Sequence, residues 1–378
     1  MSRIPSLLAF AMAIATPAAA LGCLWDYDTL KQERERFPTV LELVTGKFLR
    51  HSKEFYEWRI RDRQKKLEAD PTNLGHLDDL AVAYEMTGQH AKAIETITAK
   101  DRLKPGVYET YSNLGTFHIL AGDFELGLPY IDKALAINPD AHFGREKYQK
   151  WLVEYAMTRR ASDGKLVLPL EPASPSGRES VPSLDWRVGG FARFLQDRQG
   201  ESPLTRDQIQ AAVTGVLGMM RFARHDNPLL LEALADLLKA GEPRIDASRL
   251  AARCYLKAAG SVPDAAAKAA YRTHAEKCLK LHQGLELSAI EAEFAVEQAE
   301  ADAWYDELRA KELRWIAEGK DADAEFDRLY TREPAIGAQS GWREKAVLFS
   351  FGAAVLLLVV AAGWSVRRRA RAVPLSSE

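Results

Sequence analysis

The sequence predicts an all-α protein, and three observations carry that expectation. Residues 74–107 and 108–141 match each other at a spacing of 34. Leu80-Ala81, Tyr84, Gly88, Ala93, Ile97 and Pro105 are echoed by Leu114-Gly115, His118, Gly122, Gly127, Ile131 and Pro139. Helical patterns then resume over 205–283, and a helix of about thirty residues follows, opened by a capping-box pattern at Ser288-Ala289-Ile290-Glu291. In the repeated stretch the small residues (Ala81/Gly115, Ala93/Gly127) let two helices approach closely. The bulkier Tyr84, Ile97 and Ile131 fill the space between units, and the proline closes the second helix.

From the N-terminus, residues 1–20 read as a signal peptide. Arg3 gives the positive start, Leu7–Thr16 the apolar run, and Ala18-Ala19-Ala20 the cleavage site. Leu21-Gly22-Cys23 partly resembles a bacterial lipobox, which makes Cys23 a candidate lipidation site; Ala20 stands where that pattern prefers Leu. The segment Trp25–Leu30 suits anchoring into the fold, and its role stays open. Ser52 caps a helix over Lys53–Ala69, stopped by Asp70-Pro71. Pro71 precedes Pro105 by the same 34 residues, so this helix takes the place of an earlier unit's second helix. Its basic run (Arg59, Arg61, Arg63, Lys65, Lys66) reads as a solvated face.

The 34-residue units resemble the tetratricopeptide repeat (TPR), over 74–107 and 108–141. The resemblance implies hairpins stacked into a right-handed α-α superhelix, within an N-terminal domain spanning 21–160. It also implies a groove lined by the first helices, here Asp78, Val82, Glu85 and Met86, then Ser112, Thr116, Ile119 and Leu120. The Lys and Asn residues with which some members clamp a C-terminal carboxylate are missing. Asp78 and Glu85 would repel acidic peptides, while Met86, Ile119 and Leu120 offer an apolar strip. A basic or apolar segment of another envelope protein is the expected ligand.

A helix over Phe143–Met157 closes the first array. Between 161 and 204 lies a Pro/Gly/Ser-rich linker with one amphipathic piece, Phe191–Gln196. The second helical domain, 205–334, offers helices at Thr205–Arg224, Pro228–Ala240, Ala247–Ala259 and Pro263–Gln283. Within it, 228–263 is a degenerate TPR-like unit, and a long helix covers 289–318. Phe294, Ala301, Leu308 and Trp315 recur every seven residues along that helix. Glu297 and Lys311 interrupt the second seam a coiled coil needs, so packing on neighbouring helices is favoured over dimerisation. Cys254 and Cys278 fall about 12 Å apart along adjacent helix axes, which argues against a disulfide.

The C-terminus holds the strongest membrane signal. Residues 346–364 are nineteen without a charge, about 28 Å as a helix, flanked by Trp342 and Trp364. Arg367, Arg368, Arg369 and Arg371 then place the tail 365–378 in the cytoplasm. The expected location is the cell (inner) membrane, single-pass, with an extracytoplasmic, periplasmic ectodomain. The chain carries −2 overall; the signal carries +1 and residues 343–378 carry +4, leaving −7 for 21–342. An acidic ectodomain gives no electrostatic reason to bind nucleic acid.

No nucleophile elbow, zinc-protease pair, phosphate loop or dinucleotide fingerprint stands in a usable context. His274, Cys278 and His282 share a helix face but span about 12 Å, too far for one ion. Asp321, Asp323, Glu325 and Asp327 imitate a calcium loop, yet Phe326 takes the glycine position, so an exposed helical face is expected. No catalytic residue, metal or cofactor is assigned. The function expected is a membrane-anchored TPR adaptor or scaffold in the cell envelope, with other envelope proteins or peptides in its groove. Two alternatives remain: an enzyme with an unrecognised site in 263–330, or a structural lipoprotein modified at Cys23.

Overall fold

The computed structural model describes residues 37–331 except 140–143, 163, 165, 171–187, 201–202, 242–243 and 281. The described residues up to Phe326 belong to one compact unit; of the second, which starts at Asp327, only the π-helical turn Asp327–Thr331 is described. The described residues are all-helical, with fourteen α-helices and no strand. No described helix is long and apolar enough to cross a membrane. The expected signal, Cys23, the 346–364 span and the basic tail lie outside the described residues.

α1 (Val40–Thr45) is opened by a capping box in which Thr39 and Glu42 exchange bonds of 2.8 and 3.2 Å. α2 (Lys53–Ala69) starts at the Ser52 cap. Two hairpins follow: α3 (Leu74–Met86) with α4 (His90–Leu103), and α5 (Tyr108–Leu120) with α6 (Phe124–Ile137). The 34-residue period is visible in their hydrogen bonds. Gln89 N–H reaches Tyr84 O, and Asp123 N–H reaches His118 O, both at 2.8 Å. Gly88 and Gly122 hold the intervening positive φ, 79° and 90°. α2, α4 and α6 also end alike, on Asp70, Lys104 and Asn138, each the residue before a proline. A proline disfavours helical geometry in its predecessor, which explains the shared stop.

Between hairpin partners, close packing depends on the missing side chains. A Cβ on Gly127 would lie 2.7 Å from Ile119 Cγ1 and 2.8 Å from Gly115 O. Leu80, Ala81, Val82, Tyr84, Ala93, Ile97, Leu114 and Phe117 form a separate core of these hairpins.

The larger core gathers α1 with the helices after residue 144. These are α7 (Arg145–Thr158), α8 (Gly190–Gln199), α9 (Arg206–Phe222), α10 (Pro228–Ala240), α11 (Ile245–Ser261), α12 (Ala265–Leu279) and α13 (Leu287–Ala317), followed by the short α14 (Ala322–Phe326). α7 crosses α9 at two glycines one turn apart. A Cβ on Gly215 would strike Tyr148 at 2.5 Å, and one on Gly218 would strike Arg145 Cδ at 2.8 Å. α13 lays its seven-residue stripe inward: Ile290, Phe294, Ala301, Leu308 and Trp315 are all buried. It packs on α11, α12, α1 and α2. It begins at Leu287, ahead of Ser288, and no side chain caps it, so the capping-box pattern goes unused. Cys254 and Cys278 are buried free thiols.

Two expectations of exposure are overturned. Arg59 and Arg63 on α2 are not solvated, and Asp323 does not lie on an exposed face. Arg59 Nε bonds Asp323 Oδ1 at 3.1 Å, and Arg63 reaches both Asp323 and Asp79, the latter at 2.7 Å. A buried carboxylate between two guanidiniums satisfies all three groups away from water.

Candidate functional site: the inner face of the hairpins

The eight residues expected to line a groove sit on α3 and α5, and most are covered. Asp78 is 4% exposed and takes Lys100 Nζ at 2.6 and 2.7 Å. Burial pushes its carboxyl up to about 7 although Lys100 pulls the other way. Val82 is buried. Glu85 is buried against His90, with Nδ1 2.9 Å from each carboxylate oxygen, and burial raises its pKa too. Met86 packs half-buried on the hairpin core. Ser112 bonds Glu146 at 3.3 Å, and Thr116 bonds Gln149 at 3.1 Å, so α7 lies across the inner side of α5.

The structure therefore does not assemble the eight into one open surface. It brings three together. Thr116, Ile119 and Leu120 of α5 share a cleft with Gln149, Leu152 and Val153 of α7. Met219, Phe222 and Ala223 close it from α9, and Asn227, Leu229 and Leu230 from the start of α10. Asn227 fixes that last wall, capping α10 through Leu229 N–H at 2.9 Å with Pro228 at the first helical position. The space left is about 80 Å³, roughly half of a ~150 Å³ cavity that admits benzene. That is room for one aliphatic side chain. A polypeptide in a groove would need far more.

The residues that make this wall were not found from the sequence. α7 read as a terminal cap and α9 as an element of a separate domain. The glycine pair Gly215/Gly218 was the available signal, because small residues a turn apart mark close helix crossing. Arg145 bridges the same crossing, donating to Gly218 O at 3.1 Å with its guanidinium 4.9 Å from the Phe222 ring.

Elsewhere, buried carboxylates hold chain segments in place. On α10, Glu232 accepts Leu170 N–H at 3.1 Å and Tyr271 O–H at 2.8 Å. One turn on, Asp236 accepts Phe191 N–H at 2.9 Å and Tyr255 O–H at 2.6 Å. The two ends flanking 171–187 are thus pinned to one helix. A Cβ at Gly190 would sit 1.9 Å from Asp236 Oδ2, so glycine is required there. Burial drives the Tyr255 and Tyr271 hydroxyls and the thiols of Cys254 and Cys278 upward, Cys278 to about 12, so neither of these two cysteines is a thiolate at neutral pH.

In 263–330, Glu312 receives His51 Nδ1 at 2.7 Å and Ser52 N–H at 2.9 Å. The cleft on that side, between α11, α12 and α13, is open, and its charged pair Arg272–Glu291 forms a salt bridge. His274 stacks on Tyr255 with ring centres 5.3 Å apart, and His282 Nε2 meets Ser248 Oγ at 2.9 Å. The described residues hold no group of three or more His, Cys, Asp or Glu placed for a metal ion. No model of a known protein family matches this chain, and no curated protein matches it either.

Proposed function

We propose that the chain is a membrane-anchored, extracytoplasmic adaptor of TPR type that recruits a partner of the cell envelope. Its hairpins would stack as a short right-handed superhelix, carried outside the cytoplasm by the 346–364 span. The observation supporting a binding role is the apolar cleft where Thr116, Ile119 and Leu120 meet α7, α9 and α10. Its size sharpens the partner's chemistry. Asp78 and Glu85 are consumed by Lys100 and His90, so attraction for a basic peptide drops out. The occupant fitting the cleft is one aliphatic side chain presented by an apolar segment.

A photo-crosslinking residue at Leu120, in the full chain in intact membranes, tests this. A discrete crosslinked partner is expected there, absent from the same residue placed at exposed Leu313, and lost when Leu229→Arg fills the cleft. The same products at both positions, or products indifferent to Leu229→Arg, would refute the reading.

A further inference from the structure

The stretch between α9 and α10 also turns a histidine toward α1. Gly46 ends α1 in the left-handed region, φ 91°. A Cβ there would sit 3.0 Å from His225 Nε2 and 3.4 Å from Arg50 Nη2. Imidazole and guanidinium nitrogens therefore converge on one spot beside the Gly46 backbone. Aromatic rings hold both groups: Phe48 meets His225 edge-on at 5.3 Å, and Arg50 lies 3.7 Å over Tyr305. Arg50 Nη1 donates to the carbonyls of Gly46 and Phe48. Lys257 stands on α11, and its charge and that of Arg50 oppose each other.

Two exposed carboxylates act on Arg50 by their charge, Asp226 in the α9–α10 turn and Asp302 on α13. The Tyr305 hydroxyl is directed at His51 O, 3.4 Å away. Among the described residues no ion pair within 4 Å closes Arg50 or Lys257. Burial is the largest influence on Arg50, His225 and Lys257, and it lowers all three, His225 to about 4. The rim carboxylates therefore offset desolvation only in part. Among the described residues, negative charge thus offsets the basic groups at positions 50, 225 and 257 only in part.

We propose that Arg50, Lys257 and His225 form an oxyanion site that takes a phosphate group, either free phosphate or the phosphate of a lipid headgroup. The guanidinium offers Nη2, its Nη1 being held by backbone carbonyls, the ammonium a point charge, and the imidazole one more N–H once protonated. Asp226 and Asp302 weaken binding and keep the site exchangeable. A bound anion favours the imidazolium, so affinity rises as pH falls.

The full chain in dodecylmaltoside micelles, with ring-labelled histidine and His225 assigned through His225→Gln, gives the test. Saturating inorganic phosphate is expected to move the His225 titration from about 4 to above ~5. Lys257→Gln should weaken that response about tenfold, the scale of one charge-assisted contact, and Lys257→Arg should restore it. Micelles doped with phosphatidylglycerol distinguish the sources. A shift with inorganic phosphate assigns free phosphate, and a shift with doped micelles alone assigns the headgroup. An unchanged His225 titration in both arms, or a response equal in Lys257→Gln, overturns the site.

Discussion

The hairpins α3–α6 and the contact between α2 and the C-terminal helices are held together in opposite ways. In the hairpins, neighbours in sequence meet through absent atoms: Gly115, Gly127, Ala81 and Ala93 bring backbones close, and the cost is local. At the other contact, segments some 260 residues apart meet through charges. The Glu312 carboxylate accepts the Ser52 N–H and pairs with His51 Nδ1, and Arg59 and Arg63 share Asp323. His51 also stacks on Phe55 at 3.7 Å, with Phe326 at 4.2 Å. What repeats is shape, because each unit copies the last; the buried Asp78–Lys100 pair of α3 and α4 is not copied, since Ser112 and Ala134 stand 34 residues on. Closure between distant segments needs a contact that no other pairing satisfies, and a buried carboxylate between two guanidiniums provides one.

The strongest way to break this contrast is Asp323→Ala. Burial works against the charge of Arg63, yet Asp323 and Asp79 outweigh it and hold its pKa up. Without Asp323, Arg59 and Arg63 both lose the carboxylate they share, and Arg63 turns to Asp79 and Asp62. Stranding one side of a buried pair costs about 3–5 kcal/mol, read as a lowered urea midpoint. A loss below ~1 kcal/mol would mean the contact behaves as a surface pair, and the distinction would fail.

Gly127→Ala sharpens the hairpin side. Its Cβ must displace Ile119 and the Gly115 carbonyl, and overpacking of this kind costs about 1–3 kcal/mol. Because the clash lies between α5 and α6, crosslinking at Leu120 should weaken with it. Full stability in urea would show that the crossing has slack and that the small residues are not what sets it.

Most helices were legible in the sequence because their signals are local. The Ser52 cap, the prolines at 71, 105 and 139, and the glycines at 88 and 122 each act within one turn. The stripe on α13 was legible too, since its period survives whatever it packs against. The candidate site was legible only in part. Thr116, Ile119 and Leu120 do line a cleft, but its other walls come from α7, α9 and α10, whose arrival depends on tertiary packing. The same limit hid Arg59, Arg63 and Asp323. A charge run looks alike whether water or a carboxylate 260 residues away neutralises it, and helical period carries no information about which.

The smallest effect is expected from pH, because buried Asp78 and half-buried His225 oppose each other. Asp78 titrates near 7 in the folded chain, above its ordinary carboxylate value of 3.8. The folded state thus binds a proton that the unfolded state has released, and stability falls as pH rises from about 4 to 7. His225 titrates near 4, below its ordinary 6.5. Here the unfolded state holds the proton, so stability falls as pH drops from about 6.5 to 4. Across that shared window the native chain should show a shallow slope. Asp78→Asn removes the first contribution, and its stability should climb with pH between 4 and 6.5. His225→Gln removes the second, and its stability should decline over the same range. Urea midpoints at pH 4.5, 5.5 and 6.5 separate the two: equal slopes in both variants would show that neither group carries the charge balance assigned to it. The hairpin's own buried pair would then be as indifferent to protonation as its glycines are.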